Sequence, residues 1–292
     1  MWNVFSFKDR LRVFVLKVIA ADTESWTVDA AAPEGFKPHQ GLARLAARLD
    51  KLERLLTEHP QVETRDIATA AFESPVISII MPTWNRAGIV GAAIRSVQAQ
   101  AFTDWELLIV DDGSEDDTAD VIAGFAKDSR IRYVRLPHAG QCAARNHGQS
   151  IAKGALIAYL DSDNLWYPDF LRVAVNLFTY RSDISCAYGA MVSDSHNPRI
   201  LFEPFDRDRL LTENFIDTST FIHRRDLMVR YGGFDPAASP MEDWDLFLRY
   251  TADAPAHALP VLAVRYREVD SIRVSDTQDK KSPTKIIQDK WR

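Results

Sequence analysis

The chain has 292 residues and a net charge of −6, with 46% apolar and 26% charged residues. This composition is typical of a globular protein with a sizeable core, and the acidic balance argues against a chain-wide nucleic-acid-binding surface. The 2 cysteines are too few for a disulfide framework, and no apolar run reaches the roughly 20 residues of a membrane span. We therefore expect a cytoplasmic enzyme or binding protein, either free or peripheral at the cytoplasmic face of a membrane.

The first 74 residues lack strand signals and are predicted to form a helical N-terminal extension. Residues 2–19 combine helical apolar spacing with an excess of positive charge, which predicts either a helix packed on the main domain or a membrane-surface anchor. Residues 29–40 are typical of a linker because they contain prolines and a glycine. In residues 41–58 leucines recur at alternating steps of three and four, which predicts a helix docked on its own domain or a homodimer seam.

Strand-like and helix-like segments alternate from residue 75 onward. Predicted strands cover 76–81, 105–110, 131–136 and 155–160, and predicted helices cover 87–100, 118–126 and 141–153. This alternation predicts the α/β class, with a doubly wound, mainly parallel sheet flanked by helices. We assign it to residues 75–275 and interpret residues 276–292 as a basic C-terminal tail. Ligands of such sheets bind beyond the carboxyl ends of the strands.

Paired carboxylates follow two of these strands. Ser114 and Asp117 have the spacing of a cap for the next helix, which leaves Asp111 and Asp112 unexplained at the tip of a buried strand. Asp161 and Asp163 come after the fourth strand, and side chains at i and i+2 of an extended segment point the same way. Two such carboxylates predict a divalent cation between them, with a solvated turn as the alternative.

Two predicted helices carry further candidates. Arg145 lies in the helix that opens near Gly140, at the sheet edge where phosphates bind, so it could pair with a phosphate or with the carboxylates. Ser239 has the position of an N-cap and Glu242 that of the third helical residue, which gives Glu242 a structural explanation. Asp243 then lies in the first turn, where the helix dipole keeps a carboxylate ionised and able to accept a proton from a hydroxyl nucleophile.

These segments resemble the family 2 glycosyltransferases, which are inverting enzymes with the GT-A nucleotide-sugar-binding fold. The resemblance extends from about residue 76 to residue 275 and rests on six segments in order: 76–86, 107–118, 140–148, 157–164, 220–235 and 242–249. It implies metal-assisted transfer of one sugar from a nucleotide-diphosphate sugar to an acceptor hydroxyl. A UDP-sugar is the favoured donor, and the acceptor is a glycan, a lipid-linked sugar or a protein side chain.

The resemblance also implies a role for each candidate residue. The nucleotide sugar would be held by Pro82, Thr83, Asn85, Arg86, Asp111, Asp112, Arg145, Asp161 and Ser162. Within this set Asp112 would contact the base and Arg145 would lie near the diphosphate. Asp161 and Asp163 would hold Mg²⁺ or Mn²⁺, with Asp163 the more direct ligand. Asp243 would be the catalytic base, with Glu242 and Asp245 as second choices.

The chain also departs from the family pattern. Asn164 stands where many relatives have another Asp, a difference that bears on the metal site. The last residues reverse the Trp and Arg of the Gln-x-x-Arg-Trp motif of processive relatives, which we interpret as coincidence in the basic tail. Residues 190–220 carry no motif and are expected to shape the acceptor site. The alternatives are a non-catalytic nucleotide-sugar-binding or assembly module and, ranked lower for want of a glycine-rich loop after residue 82, a sugar nucleotidyltransferase.

Overall fold

The computed structural model describes residues 72–193, 200–267 and 282–291, all of which belong to one compact unit. The membrane-surface helix, the linker and the homodimer seam through 41–58 lie outside the described residues and stay predictions. Within the described ranges, no helix combines the length and the apolar character needed to cross a membrane.

Strands and helices alternate along the first half of the described chain, close to the predicted bounds. In order, the elements are β1 (Ile77–Thr83), α1 (Val90–Gln98), β2 (Trp105–Asp111), α2 (Thr118–Ala123), β3 (Ile131–Arg135), α3 (Gln141–Ile151) and β4 (Leu156–Tyr159). Every residue of β1, β2 and β4 is buried, as expected for parallel strands that are covered on both faces.

The second half contains shorter and more varied elements. They are β5 (Leu165–Trp166), α4 (Phe170–Tyr180), β6 (Cys186–Ser193), β7 (Ile200–Leu201), α5 (Arg207–Leu210), β8 (Phe221–Arg224), α6 (Asp226–Tyr231), α7 (Glu242–Tyr250), β9 (His257–Tyr266) and α8 (Ser282–Trp291). Single 3₁₀ turns at Thr218–Thr220 and Pro236–Ala238 precede β8 and α7.

The strands form one mixed sheet in the order β3-β2-β1-β4-β8-β6-β9-β5, with β7 paired to β6. Parallel pairing joins β3, β2, β1 and β4, and it also joins β6 to β9. The remaining pairs are antiparallel. The predicted α/β class with flanking helices is confirmed, whereas parallel strands predominate only in the first half of the sheet.

Two apolar cores cover the two faces of the sheet. Ile79 of β1 packs with α1 and α4 in one core, and its neighbour Ile80 packs with α3 and α7 in the other. Successive side chains of a strand point to opposite faces, so one apolar strand contributes to both cores. Because β1, β2 and β4 are parallel, their carboxyl ends lie at one edge of the sheet, whose two faces are both covered by a packed core.

Two predicted helix caps are wrong. Helix α7 begins at Glu242 itself, and Ser239 instead ends the 3₁₀ turn before it, so Glu242 is the first rather than the third helical residue. Ser114 does not cap α2, because that helix begins at Thr118 and has Asp117 at its N-cap position; the Ser114 hydroxyl instead accepts the Asn85 N–H at 2.9 Å. At Ser114 a contact with the distant residue Asn85 replaces the expected local cap, and at Ser239 a 3₁₀ turn does so.

The predicted basic tail is helical throughout its described part. Helix α8 places Ile287 in the core that also contains Trp244 and Phe247 of α7, and Ile287 is fully buried. Residues 268–281, which lead to this helix, lie outside the described part of the chain.

Candidate active site

The loops after β1 and β2 are tied together through Asn85. Asn85 has a φ of 51°, a left-handed conformation that Asn tolerates better than most side chains. Its N–H donates to the Ser114 hydroxyl, and its side-chain oxygen accepts the Glu115 N–H at 2.8 Å. Thr83 ends β1 beside this loop, and its buried hydroxyl has no hydrogen-bond partner among the described residues. Asn85 therefore shapes the strand edge on which Thr83 lies.

Asp111 is held within the protein by two hydrogen bonds. Its Oδ1 accepts the Ser114 N–H at 2.8 Å, and its Oδ2 accepts the Tyr133 hydroxyl at 2.6 Å. Burial and this carboxylate together raise the pKa of Tyr133. Asp111 is itself fully buried, so its contacts are those of a residue that fixes the turn after β2.

Asp112 contacts the loop that precedes α3. Its Oδ1 accepts the Ala139 N–H at 2.8 Å and its Oδ2 accepts the Gly140 N–H at 2.9 Å. The Nδ1 atom of His138 lies 2.8 Å from the same Oδ2. A carboxylate can accept about four hydrogen bonds, so Asp112 retains capacity for one more donor.

An exposed aromatic pair lies beside Asp112. Trp84 is 47% exposed, which is unusual for so large an apolar side chain. Its ring stacks on His138 with the centroids 4.7 Å apart and an angle of 22° between the ring planes. Sequence reasoning did not select Trp84, although a tryptophan in a polar loop at the ligand-binding edge of a sheet is a usable signal.

Arg145 connects the loop after β4 with the start of α7. Its guanidinium is buried and donates to Asp161 at 2.8 Å and to Glu242 Oε1 at 3.2 Å, and it lies 5.2 Å from the centre of the Phe234 ring. Burial alone would lower the pKa of Arg145, but the two carboxylates outweigh this effect and raise it. Gln141 donates to the same Oε1 atom of Glu242. This ion-pair bridge brings together three residues that the sequence predicted for one site.

Asp161 and Asp163 lie in a tight turn, so the extended conformation expected for them is wrong. The Asn164 N–H donates to the Asp161 carbonyl at 3.0 Å. The two carboxylate side chains are 30% and 24% exposed, and Arg86 Nη2 lies 4.0 Å from Asp163 Oδ2. Ser162 lies in the same turn and is buried.

This turn has the chemistry of an incomplete divalent-cation site. No group of three or more His, Cys, Asp or Glu residues within the described ranges could enclose a metal ion by itself. Two partly exposed carboxylates beside Arg86 nevertheless fit a hard cation whose remaining ligands are phosphate oxygens and water, which is the common arrangement for Mg²⁺. The residues present therefore fit the metal only together with a phosphate ligand.

The structure explains the departure at Asn164. Its side chain is buried, where it accepts the Arg267 N–H at 3.3 Å and donates to the Ser219 hydroxyl at 3.4 Å. The same hydroxyl accepts the Asp161 N–H at 3.2 Å, and Arg267 Nε donates to the Asp163 carbonyl at 3.0 Å. Asn164 thus holds the turn from inside, and its amide is engaged in these contacts.

Asp243 lies in the first turn of α7, and both of its carboxylate oxygens accept hydrogen bonds. Oδ1 accepts the Trp244 N–H at 2.7 Å, and Oδ2 accepts the Thr218 hydroxyl at 3.2 Å and the Asn214 amide at 3.5 Å. Burial and the neighbouring charge of Glu242 raise the pKa of Asp243 to about 6. A carboxyl group with this pKa is mostly ionised at neutral pH and able to take up a proton.

Glu242 and Asp245 have different surroundings from Asp243. Glu242 is paired with Arg145, and its other oxygen is buried without a partner among the described residues. Asp245 is fully buried and is bound to Arg249 of its own helix at 2.9 Å and to α8. Both carboxylates are therefore engaged by cations, which leaves Asp243 as the best placed of the three to accept a proton.

The segment before β8 contributes residues that sequence reasoning missed. Asp217 precedes the 3₁₀ turn whose Thr218 and Ser219 contact Asp243 and Asp161. Burial, together with the charge of Asp161, raises the pKa of Asp217 to about 7. No motif marks this segment, because its position depends on packing against β4 rather than on local pattern.

Comparison with known proteins identifies the family. The profile described as Glycosyl transferase family 2 matches residues 78–228, which is more than half of the chain. The chain belongs to this family. The matched residues carry the loops after β1, β2 and β4 as well as Arg145.

Curated relatives agree with this assignment. A PGL/p-HBAD biosynthesis glycosyltransferase of Mycobacterium tuberculosis is 31% identical over 199 residues, which cover 67% of this chain and 75% of the relative. The UDP-Glc:alpha-D-GlcNAc-diphosphoundecaprenol beta-1,3-glucosyltransferase WfgD of Escherichia coli is 38% identical over 115 residues, 39% of this chain and 45% of WfgD.

Solved structures support the fold. TarS of S. aureus, residues 1–349 in complex with UDP-GlcNAc, superposes with a TM-score of 0.60 at 17% identity, over 70% of this chain and 61% of that one. The mannosyltransferase PcManGT of Pyrobaculum calidifontis, in complex with GDP-Man and Mn²⁺, gives a TM-score of 0.53 at 19% identity, over 80% and 68% of the two chains. At these identities the similarity establishes the GT-A type of fold. The chain spans less than two thirds of the TarS and WfgD chains.

Proposed function

We propose that this family member transfers one sugar from a nucleotide-diphosphate sugar to an acceptor hydroxyl, with inversion at the anomeric carbon. The observation that carries the proposal is the bridge through Arg145, which joins the Asp161–Asp163 turn to the helix that bears Asp243. It couples an acidic turn suited to a metal diphosphate with a carboxyl group suited to act as a base. A UDP-sugar is favoured because TarS was solved with UDP-GlcNAc and WfgD is named for UDP-Glc.

The donor nucleoside is assigned to the edge formed by β1 and β2. Asp112 retains one acceptor position for a base N–H, and the exposed Trp84 ring beside it offers a flat apolar surface for a base. Thr83 has a buried hydroxyl without a partner among the described residues. In this proposal Asn85 and Asp111 fix the loops, whereas the family resemblance implied that both bind the nucleotide sugar directly. Pro82 belongs to the same strand end.

The diphosphate is assigned to the turn after β4. Asp161 and Asp163 would hold Mg²⁺ or Mn²⁺, and the Mn²⁺ in PcManGT supports this ion type. A metal held there would supply Lewis-acid stabilisation of the negative charge on the leaving nucleoside diphosphate. Arg86 and Arg145 add positive charge from the chain itself, and Ser162 lies in the same turn.

Asp243 is assigned as the general base. It takes the proton from the acceptor hydroxyl while that oxygen attacks the anomeric carbon from the face opposite the departing diphosphate. A single displacement of this kind inverts the configuration. Thr218 and Asn214 orient Oδ2 by donating hydrogen bonds to it, and Oδ1, which accepts only the Trp244 N–H among the described residues, has a second acceptor position. A lipid-linked sugar is the favoured acceptor because WfgD is named for a diphosphoundecaprenol-linked GlcNAc.

A donor-binding screen tests the proposal. We expect one of UDP-glucose, UDP-GlcNAc and GDP-mannose, with Mn²⁺, to raise the melting temperature of the full chain, and chelation to reverse the rise. Asp163→Ala should abolish the metal-dependent part of the shift while leaving the melting temperature of the free protein close to that of the wild type. If none of these donors binds with Mn²⁺ or with Mg²⁺, the result would contradict the proposal and favour a non-catalytic assembly module.

A further inference from the structure

Helix α8 contacts the first turn of α7 through one buried carboxylate. Lys290 Nζ lies 2.9 Å from Asp245 Oδ1, and the Trp291 indole N–H donates to the same oxygen at 3.1 Å. Asp245 is fully buried, and Ile287 anchors α8 in the core beside α7. Lys290 Nζ also lies 2.7 Å from Asp235 Oδ2, so its charge is shared between two carboxylates, whereas the indole N–H of Trp291 is directed at Asp245.

The two oxygens of Asp245 are held from different sides. Oδ2 accepts the Arg249 Nε–H at 2.9 Å from within α7, whereas Oδ1 receives its bonds, among the described residues, from α8 alone. Removal of the α8 partners would leave one oxygen of a buried charge unsatisfied, which is strongly unfavourable. The first turn of α7 would then move or admit water to solvate Asp245.

Asp243 lies two positions before Asp245 in the same turn. A second contact of this turn is made by Trp244, whose indole N–H donates to the Leu210 carbonyl at 2.6 Å and whose backbone N–H donates to Asp243 Oδ1. The turn is therefore held at two points, Trp244 on α5 and Asp245 on α8. A displacement of about 1 Å at a reacting group can cost roughly a hundredfold in rate.

We propose that Lys290 and Trp291 are positioning residues that hold the candidate base Asp243 in place through Asp245. This inference rests on the proposed function, because it assumes that Asp243 is the base. From the sequence alone, the likeness of the last residues to the Gln-x-x-Arg-Trp motif is interpreted as coincidence. The proposal instead gives Trp291 a role, because it contacts α7, the helix that carries Asp243. The guanidinium of Arg207 in α5 lies over the Trp291 ring, 5.8 Å from its centre.

The test compares matched variants of the full chain. Trp291→Phe keeps an aromatic ring over Arg207 but removes the N–H donor, Lys290→Met removes the cation, and Lys290→Arg retains it. Arg181→Met breaks an exposed ion pair with Asp183 far from α7 in sequence and serves as the control. UDP release from UDP-glucose with Mn²⁺ gives kcat and KM, with water or a GlcNAc-diphospho-lipid as nucleophile, and calorimetry gives the Kd for UDP.

We expect kcat to fall about tenfold or more in Lys290→Met combined with Trp291→Phe, with donor KM and UDP Kd changed less than about twofold. Lys290→Arg and Arg181→Met should keep the wild-type kcat. If the double variant does not fold, Trp291→Phe alone, which leaves Lys290 on Oδ1, should lower kcat in the same direction by a smaller factor. An unchanged kcat beside an inactive Asp243→Asn overturns the positioning role and leaves the base assignment intact.

Other results also overturn the inference. A parallel loss of kcat, UDP affinity and melting temperature would mean that α8 contributes only to folding. Loss of kcat in Lys290→Arg equal to that in Lys290→Met would contradict a role for the charge. An Asp243→Asn protein with normal kcat would overturn the base assignment and the inference that depends on it.

Discussion

Three carboxylates lie in one turn of α7, and their surroundings separate their roles. Glu242 is paired with Arg145, and Asp245 is enclosed by Arg249 and α8. Asp243 has only neutral hydrogen-bond donors, and its pKa is raised to about 6 by burial and by the charge of Glu242. A sequence with Glu, Asp and Asp so close together cannot rank them, because the ranking depends on distant partners.

The raised pKa of Asp243 predicts an acid limit to activity. A general base works only in its ionised form, so kcat/KM for a UDP-sugar should increase with pH and level off above a midpoint near pH 6. Initial rates of UDP release between pH 4.5 and 8 measure this directly. A rate that is independent of pH down to 4.5 would contradict the assigned role of Asp243.

At the scale of elements, the strands were predictable and the irregular segments were not. Strands β1, β2 and β4 are largely apolar, fully buried runs, and polar residues mark where each one ends. Both features are local in the sequence, so the strands and the loops after them could be predicted. The turn at Asp161, the buried Asn164 and the segment before β8 depend on contacts between residues far apart in sequence. The same reason explains why the local cap expected at Ser239 is replaced by a 3₁₀ turn.

Strand β8 carries a buried histidine in a continuous hydrogen-bond chain. Gln149 donates to the Tyr159 hydroxyl at 2.6 Å, which lies 2.8 Å from His223 Nε2, while His223 Nδ1 lies 2.8 Å from the Arg224 carbonyl. A neutral imidazole satisfies every member if Tyr159 donates to Nε2 and Nδ1–H donates to the carbonyl. Burial lowers the pKa of His223 to about 4.

This histidine predicts a loss of stability in acid. The unfolded chain takes up a proton near pH 6.5 and the folded chain only near pH 4, so the contribution of His223 is complete above pH 6.5 and is lost as the pH falls to 4. The free energy of unfolding should fall by about 3 kcal/mol over this range from His223 alone. Urea denaturation of wild type and His223→Phe should show a smaller acid dependence in the variant. Equal dependence in the two proteins would contradict a neutral buried His223.

At the scale of the whole molecule, the two halves of the sheet carry different parts of the proposed site. The parallel half presents the loops that we assign to the donor, and the mixed half supports α7 and the segment before β8 that we assign to the acceptor. Arg145 bridges the two halves. Alternating strands and helices predicted the first half, whereas the order of β8, β6, β9 and β5 is not encoded in any local pattern.

The assignment of the base is the central claim, and one variant tests it most directly. Asp243→Asn keeps the shape of the side chain, and its single carbonyl oxygen can still accept the Trp244 N–H while its amide donates to the Thr218 hydroxyl, but it cannot take up a proton at neutral pH. We predict that Asp243→Asn binds UDP and Mn²⁺ with wild-type affinity and that its rate of sugar transfer falls by roughly 10²–10⁴-fold. Transfer at the wild-type rate by a folded Asp243→Asn protein would contradict the account.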